Sequence, residues 1–303
     1  MTTTSFKIDE IVELMEQSEP LLPGNFACSG CGMTVAMRVA LSAIKNPIVV
    51  IPACCASVVE SLHPNISYNF PVVNIAFAAH AAAASGIARA KKVRGEDITT
   101  VVWSGDGGSF DIGFATLSGA AERGENIIHA IYDNGFYGNT GGQRSSATPR
   151  GAGTTTTPHG KEQKRKAIGR IMAMHDIAYV ATTSVGYPRD IFAKFNKASQ
   201  IEGFKFILID APCPTGWVSD PDLTVELGKL AVKTGFFPMY EYENAKLTFT
   251  SPSNRLKDPS KRTPIEEYLK HQGRFKNLLK DHETLKLFKQ DIEDEWTMLE
   301  RLE

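Results

Sequence analysis

Two short segments of the chain carry side chains suited to binding a metal ion and a phosphate. Asp106 lies in the run SGDGGSF, and Asn134 lies further along in YDNGFYG. A carboxylate and an amide oxygen are hard ligands for Mg²⁺, which commonly bridges a protein to a diphosphate. The glycines Gly105, Gly107 and Gly108 let the backbone turn sharply and approach a ligand closely. This pattern favours a site for Mg²⁺ and a phosphorylated ligand.

The cysteines suggest a second site. The chain has five of them, Cys28, Cys31, Cys54, Cys55 and Cys213, and the first two form a CxxC pair. Disulfides are rare in cytoplasmic proteins. Structural zinc usually takes two closely spaced pairs, whereas iron–sulfur clusters accept wider spacing. Spacing alone leaves both inert buried thiols and a metal site open.

The elements around Asp106 and Asn134 place these two residues together. Residues 99–104 and 126–132 are apolar, β-branched runs, which predicts two buried strands, and residues 109–124 have helical spacing. Strand, helix and strand within about thirty residues form a βαβ unit with parallel strands. Open α/β sheets bind ligands at the carboxyl ends of their strands. The alternative is an ordinary βαβ unit with a tight glycine turn and Asp106 as a helix cap.

The same alternation continues along the chain and predicts an α/β fold with a parallel sheet flanked by helices. We predict one domain over residues 1–245, followed by a linker and a helical C-terminal arm over 246–303. The apolar spacing within the arm is helical, and we expect it to clamp a neighbouring subunit. Further predicted strands and helices cover residues 8–15, 34–45, 47–51, 71–92, 178–184, 189–200 and 204–210.

Composition narrows the function classes. The 303-residue chain is 42% hydrophobic and has a formal net charge of −1. This charge balance argues against a nucleic-acid-binding protein, which usually shows a basic stripe. The N-terminal segment lacks the features of a secretory signal, and no apolar run is long enough for a membrane span. We therefore expect a cytoplasmic protein with no nucleic-acid or membrane partner.

The longer strings GDGGSFDIG, YDNGFYGNTGGQRSSATP and TTTTP resemble the thiamine diphosphate-binding β subunits of the pyruvate:ferredoxin oxidoreductases, also called pyruvate synthases. The resemblance extends from about residue 28 to residue 217 and implies the thiamine diphosphate-binding fold. It further implies that Asp106 and Asn134 bind Mg²⁺ through their side chains and Phe136 through its backbone carbonyl. The diphosphate would lie in the loop formed by Gly105, Asp106, Gly107 and Gly108.

The resemblance also assigns residues to catalysis and to a cluster. Tyr137, Asn139 and Thr140 would lie beside the thiazolium ring and the substrate, with Asn139 also contacting the cofactor. A 4Fe–4S cluster would be held by the CxxC pair, by one cysteine that begins the next helix, and by the cysteine of PCPTGW. The ligands assigned in this way are Cys28, Cys31, Cys55 and Cys213. Relatives tend to have glycine where this chain has Cys54, so we assign Cys55 rather than Cys54.

The implied reaction is the oxidative decarboxylation of pyruvate with coenzyme A to acetyl-CoA and CO₂, or the reverse, with electrons passing to ferredoxin. The implied partners are an α subunit carrying the activating glutamate, and γ- and δ-type subunits or domains. Other 2-oxoacids (2-oxoisovalerate, 2-oxoglutarate, oxalate), a non-redox thiamine diphosphate decarboxylase and a zinc-stabilised scaffold are the alternatives.

Two polar segments follow the Asn134 loop. Residues 141–158 form a long loop in which Gln143, Arg144 and Thr148 are candidates for contact with a substrate or a partner subunit. Residues 159–166 form a basic cluster. This cluster is either a solvated helix start or a docking surface for acidic ferredoxin.

Overall fold

One eight-stranded sheet organises the chain. The computed structural model describes residues 6–303, so the first five residues of the N-terminal segment considered above lie outside the described part. The strands are β1 (Pro47–Pro52), β2 (Val72–Ile75), β3 (Thr99–Gly105), β4 (Ile128–Asp133), β5 (Tyr179–Ser184), β6 (Lys205–Asp210), β7 (Tyr240–Glu243) and β8 (Lys246–Phe249). The helices are α1 (Ile8–Ser18), α2 (Gly32–Ser42), α3 (Cys55–Val59), α4 (His80–Arg94), α5 (Phe114–Glu122), α6 (Ile168–Ala173), α7 (Pro188–Ser199), α8 (Pro214–Trp217), α9 (Thr224–Lys233), α10 (Ile265–Leu269) and α11 (His282–Glu300).

The strand order is β2-β1-β3-β4-β6-β5-β7-β8. The first six strands of this order pair in parallel, which confirms the predicted sheet flanked by helices. The last two pair antiparallel and were not predicted. Their residues alternate between buried and less buried positions, as expected for edge strands with one face on the core.

Helices cover both faces of the sheet. Along β3, Val102 points into one apolar core with α4, α5, α6, α9 and α11, whereas Val101 and Trp103 point into a second core with α1, α2 and α7. Successive side chains of a strand point to opposite faces, so a strand buried on both faces is apolar throughout. This is why β3 and β4 appear in the sequence as continuous apolar runs.

The C-terminal arm packs on the body of its own chain. In α11, Phe288, Ile292, Trp296 and Leu299 are buried in the same core as α4 and α5. The apolar face that we expected to clamp a neighbouring subunit is therefore covered by the chain itself. The division into residues 1–245 and 246–303 stays a prediction, and β8 lies within the range assigned to the arm.

The predicted helix over residues 109–124 is split into two parts. Residues Gly107–Ile112 form a wide π-helical turn, and α5 begins only at Phe114. The backbone N–H of Gly113 donates to the carbonyl of Gly108 at 2.7 Å, which closes this turn. A Cβ on Gly113 would lie 2.1 Å from the ring of His80, so glycine is required there. Such turns inside helices are frequent at functional sites.

The membrane prediction can be compared with the helices in residues 6–303. None of these helices is both long enough and apolar enough to cross a bilayer.

Candidate functional site

The sheet brings Asp106 and Asn134 together as predicted, because they follow the adjacent parallel strands β3 and β4. One terminal atom of the Asn134 amide lies 2.9 Å from Oδ1 of Asp106 and 2.9 Å from the carbonyl oxygen of Phe136. With its nitrogen at that position, the amide donates a hydrogen bond to each oxygen. Turned the other way, the amide would place its oxygen beside these two oxygens.

The chemistry of the donor atoms suits a magnesium ion. One carboxylate, one amide oxygen and one backbone carbonyl are the hard oxygen ligands that Mg²⁺ prefers.

The carboxyl group of Asp106 is buried in a way that calls for a cation. It is 1% exposed, and its Oδ2 accepts a hydrogen bond from Oγ of Ser145 at 2.5 Å. Among residues 6–303 no basic side chain forms an ion pair with it. Burial, and next the neighbouring charge of Asp133, raise the pKa of Asp106 well above its ordinary value. A bound cation would oppose both effects.

Two further aspartates lie at the same edge of the sheet, Asp133 at the end of β4 and Asp210 at the end of β6. Asp133 forms an ion pair with Arg165 and accepts a hydrogen bond from the backbone N–H of Gly135 at 3.0 Å. Burial, and next the charge of Asp133, raise the pKa of Asp210 to about 7. Arg165 therefore neutralises Asp133 and leaves Asp106 as the carboxylate available to a metal.

The glycine loop is closely packed against Tyr137. A Cβ on Gly107 would lie 2.5 Å from the Tyr137 ring, and the Tyr137 hydroxyl donates to Oδ2 of Asp111 at 3.0 Å. Burial, followed by the charge of Asp111, raises the pKa of this hydroxyl. The ring is thus fixed above the loop as a neutral phenol.

The other residues assigned to catalysis are more open. Asn139 and Thr140 are exposed at the tip of the loop that follows β4. Thr140 Oγ1 donates to Oε1 of Gln143 at 2.6 Å, and the Gln143 amide donates to the Thr140 carbonyl at 2.8 Å. This pair shapes the loop tip and leaves the Asn139 side chain free of a protein partner within the described residues.

Four cysteines meet in one cavity. Its volume is about 760 Å³, and it is lined by Cys28, Cys31, Cys55 and Cys213 among other residues. Burial raises the pKa of the Cys31 thiol, of the Cys213 thiol to about 11, and of the Cys55 thiol to about 12. The nearby sulfurs of Cys54, and next of Cys213 and Cys31, raise the pKa of Cys55 further.

The four thiols share one cavity without being gathered around a single point. Within residues 6–303, no three or more His, Cys, Asp and Glu side chains lie close enough together to hold one ion.

The adjacent cysteines Cys54 and Cys55 lie on either side of the point where helix α3 begins. Cys54 is the residue before the helix and is 6% exposed, with its thiol at the Tyr132 hydroxyl. Cys55 is the first helical residue, and its sulfur faces the cavity with Cys213. This geometry is consistent with the assignment of Cys55, which stays a prediction.

The CxxC turn is held against the Cys213 loop by backbone contacts. The N–H of Gly32 donates to the carbonyl of Pro212 at 3.1 Å, and a Cβ on Gly32 would lie 2.6 Å from that oxygen. A Cβ on Gly30 would similarly lie 2.2 Å from the carbonyl oxygen of Pro221. These contacts bring a segment near the N-terminus to the carboxyl end of β6.

The pocket at the glycine loop and the cysteine cavity are contiguous. A small pocket of about 20 Å³ is lined by the glycine loop and Tyr137, and it shares a wall with the cysteine cavity. The residues lining both are Cys55, Asn134, Phe136, Gly138 and Asn139. A Cβ on Gly138 would lie 3.0 Å from the Cys55 sulfur, so the Asn134 loop touches the cysteine directly.

Two lysines of the basic cluster bond to backbone carbonyls, while Lys164 is exposed and ferredoxin docking stays a prediction. Lys161 is 2% exposed, and its Nζ donates to the carbonyls of Thr148 at 2.7 Å and Ser146 at 3.2 Å. Lys166 donates to the Phe110 carbonyl. Neither a solvated helix start nor a docking surface describes these two lysines, because they hold the polar loop onto the site.

The candidates of the polar loop have different surroundings. Thr148 is fully buried and donates to the carbonyl of Gly135 at 2.6 Å, so it stabilises the loop. Arg144 is exposed.

Sequence reasoning missed two residues near the site. Arg274 comes from the C-terminal arm and lines the cysteine cavity, and its guanidinium carbon lies 3.7 Å from the centre of the Trp217 ring. Ser145, the partner of Asp106, was also missed, since serines are frequent in polar loops.

Comparisons with known proteins agree on one family. The family described as "Thiamine pyrophosphate enzyme, C-terminal TPP binding domain" matches residues 52–210, thiamine pyrophosphate being another name for thiamine diphosphate. The chain is 45% identical over 272 residues to pyruvate synthase subunit PorB of Methanothermobacter marburgensis, covering 88% of this chain and 92% of that protein. It is 44% identical over 297 residues to ketoisovalerate oxidoreductase subunit VorB of Pyrococcus horikoshii, covering 94% and 93%.

A solved structure shares the fold. The 2-oxoglutarate:ferredoxin oxidoreductase from Magnetococcus marinus, with 2-oxoglutarate, coenzyme A and succinyl-CoA bound, aligns with a TM-score of 0.61 at 21% identity. The alignment covers 86% of this chain and 94% of that chain. The chain therefore shares the overall fold of that solved structure.

Proposed function

The chain belongs to the 2-oxoacid:ferredoxin oxidoreductase family and carries its thiamine diphosphate-binding domain, and from that premise we propose that it is the β subunit of a pyruvate:ferredoxin oxidoreductase. The proposed reaction converts pyruvate and coenzyme A to acetyl-CoA and CO₂, or runs in reverse, with electrons exchanged with ferredoxin. The observation that carries the proposal is the shared wall between the Asp106–Asn134 site and the four-cysteine cavity. Contiguous sites of these two chemistries suit a reaction that couples carbon chemistry to electron transfer.

For the first site, we propose that Asp106, Asn134 and the Phe136 carbonyl bind Mg²⁺, and that Gly105, Gly107 and Gly108 cradle the diphosphate. The position of the Asn134 amide, 2.9 Å from Oδ1 of Asp106 and 2.9 Å from the Phe136 carbonyl oxygen, supports this assignment because it gathers three groups able to offer oxygen ligands. The close approach of the glycine backbone to Tyr137 supports it further, because any Cβ on Gly107 would displace that ring.

For the second site, we propose that Cys28, Cys31, Cys55 and Cys213 hold a 4Fe–4S cluster. Their common cavity supports this assignment. When bound, thiamine diphosphate supplies a carbanion for attack on the substrate carbonyl, and the cluster accepts electrons one at a time.

The chain's own residues hold and shape these sites. Asp111 fixes the Tyr137 ring over the glycine loop, and Ser145 orients the Asp106 carboxylate. The loop at Gly138 contacts the Cys55 sulfur. This loop would therefore lie between the bound cofactor and the cluster.

The activating glutamate and much of the substrate pocket are proposed to lie on an α subunit, with γ- and δ-type subunits and ferredoxin as further partners. The relatives named above are themselves called subunits, which supports an assembled enzyme. We expect the chain to be inactive without these partners.

A second substrate is favoured by one observation. The ketoisovalerate oxidoreductase subunit is nearly as similar as the pyruvate synthase subunit and matches more of the chain. Purified complex assayed with pyruvate and with 2-oxoisovalerate, each with coenzyme A and ferredoxin, separates these substrates by their kcat/KM values. A preference for 2-oxoisovalerate would replace pyruvate in the proposal and leave the two sites as assigned.

The proposal is tested by iron, acid-labile sulfide and zinc analysis of anaerobically purified protein, with an EPR spectrum after dithionite reduction. About four irons per chain and a reduced-cluster signal are expected. Zinc alone, or no metal under strict anaerobiosis, would refute the redox function and leave thiamine diphosphate binding to be tested separately by titration.

A further inference from the structure

Trp217 connects the two proposed sites. It ends the short helix α8 that begins directly after Cys213, and its indole N–H donates to the backbone carbonyl of Asn134 at 2.6 Å. It is 2% exposed. One side chain of the Cys213 loop is thus bonded to the residue whose amide completes the oxygen site.

Packing reinforces this bond. A Cβ on Gly216 would lie 1.8 Å from the Phe136 ring, so this ring of the Asn134 loop occupies the space next to Gly216. Phe136 also offers its carbonyl to the oxygen site. The Cys213 loop and the Asn134 loop therefore touch through two adjacent pairs of residues.

Arg274 packs against this junction, the contact of Trp217 and Gly216 with Asn134 and Phe136. Its guanidinium lies 3.7 Å from the centre of the Trp217 ring, and a Cβ on Gly135 would lie 3.2 Å from its Nη1. The side chain is 6% exposed and is fixed by Oε1 of Gln272 at 2.9 Å. A buried guanidinium on an aromatic face contributes a cation–π interaction in a desolvated place.

The backbone around Arg274 ties the arm to the same two loops. The N–H of Gly273 donates to the carbonyl of Val218 at 3.0 Å, next to Trp217. The N–H of Gly153, in the polar loop, donates to the Arg274 carbonyl at 2.7 Å. The C-terminal arm thus acts as a support for the site, in addition to covering the core.

We propose that Trp217 and Arg274 are positioning residues that fix the Asn134 loop against the Cys213 loop, so that the metal–diphosphate site and the cysteine cavity keep their shapes as one unit. The inference rests on the proposed function, because it assigns Mg²⁺ with thiamine diphosphate to one loop and a cluster to the other. Weakening the junction should change the properties of both sites together.

The molecule contains a matched control. Trp296 is likewise 2% exposed, donates its indole N–H to a backbone carbonyl (Gly235, 2.8 Å) and lies under an arginine (Arg262, 4.4 Å). It does not line either proposed site. Trp217→Phe and Trp296→Phe remove the same kind of hydrogen bond while keeping an aromatic ring in place.

The test uses the full chain purified anaerobically with its partner subunits. Mn²⁺ serves as the probe for Mg²⁺, and its binding in the presence of thiamine diphosphate is followed by loss of the free Mn²⁺ EPR signal. Trp217→Phe should weaken Mn²⁺ binding about tenfold, the lower end for loss of a partner that orients a metal ligand. It should also shift the midpoint potential of the cluster, while Trp296→Phe leaves both at wild-type values.

A second pair of variants covers the case in which Trp217→Phe fails to fold. Arg274→Gln removes the cation next to the cavity, and the midpoint potential should become more negative because a nearby positive charge favours the reduced cluster. Arg274→Lys keeps the charge and should restore the potential, while Mn²⁺ binding stays weakened because the planar stacking on Trp217 is lost.

Three results would overturn the inference in distinguishable ways. Wild-type protein that takes up neither iron nor Mn²⁺ with thiamine diphosphate would remove the proposed function itself. If Trp217→Phe leaves both the Mn²⁺ affinity and the midpoint potential of the cluster unchanged, the positioning role is refuted and the proposed function still stands. Equal losses in Trp217→Phe and Trp296→Phe would show a general effect of stability.

Discussion

Replacing Asn134 with leucine should abolish tight Mg²⁺ binding, because leucine keeps the branched shape of the side chain and removes its oxygen. Without metal, the amide nitrogen donates to Asp106 and to the Phe136 carbonyl, both at 2.9 Å. Each such hydrogen bond contributes about 1 kcal/mol net. Turning the amide so that its oxygen faces a metal therefore costs about 2 kcal/mol, which lowers the affinity of the wild type for Mg²⁺ about 30-fold.

Asn134→Asp gives the opposite effect on metal binding and tests the same geometry. An aspartate side chain offers an oxygen in either orientation, so the cost of rotating the amide, about 2 kcal/mol, is absent. It also adds a negative charge, so Mn²⁺ binding should become at least about 30-fold tighter. In the absence of metal the same variant should be less stable than wild type, because it places a second carboxyl group beside the buried Asp106.

Two measurements decide this prediction. Mn²⁺ titration with thiamine diphosphate gives the affinity, and thermal unfolding with EDTA or with excess Mg²⁺ gives the stability of each state. Asn254→Leu serves as the control, since Asn254 is exposed beyond β8, at the far edge of the sheet. Wild-type Mn²⁺ affinity in Asn134→Leu, or greater metal-free stability in Asn134→Asp, would refute the reasoning.

Three further predictions concern other parts of the structure. Cys55→Ser should lower iron content by metal analysis, whereas Cys54→Ser, outside the cavity, should retain it; equal retention would contradict the assignment. The pKa of Asp210 is raised from 3.8 to about 7, so its ionisation costs stability as pH rises through that interval. Asp210→Asn should therefore be more stable than wild type at pH 8, by at most about 4 kcal/mol, and equal to it near pH 4 in urea unfolding. Lys161→Met should lose about 2–4 kcal/mol in the same assay, because buried carbonyls lose their donor, while exposed Lys164→Met should lose almost nothing.

The parallel part of the sheet and the positions of Asp106 and Asn134 could be predicted from the amino-acid sequence. Continuous apolar runs specify strands that are buried on both faces, and glycine-rich turns at their carboxyl ends specify where a ligand can approach. Asp106 and Asn134 each follow such a run directly. Their meeting needed only the rule that consecutive strands of a βαβ unit are parallel.

The sequence was less informative where local patterns are ambiguous. The short strands β7 and β8 were missed because each alternates over only four residues, the shortest run that indicates a strand. The π-helical turn at Gly107 has the same apolar spacing as an α-helix over one turn. Its extra residue is specified by the lack of space between Gly113 and His80, a contact between distant segments.

Only the tertiary structure decided which residues support the site from a distance. Arg274 and Trp217 are far apart in the chain, and nothing in the local sequence around Arg274 indicates a buried cation. Lys161 belongs to a run of charged residues that predicts exposure, yet it is buried because the loop carbonyls of Ser146 and Thr148 converge on its ammonium group. The apolar spacing of α11 predicted a buried face, but spacing cannot say what covers that face. Periodicity is a property of neighbouring residues, whereas the surface that buries a side chain is supplied by the folded chain.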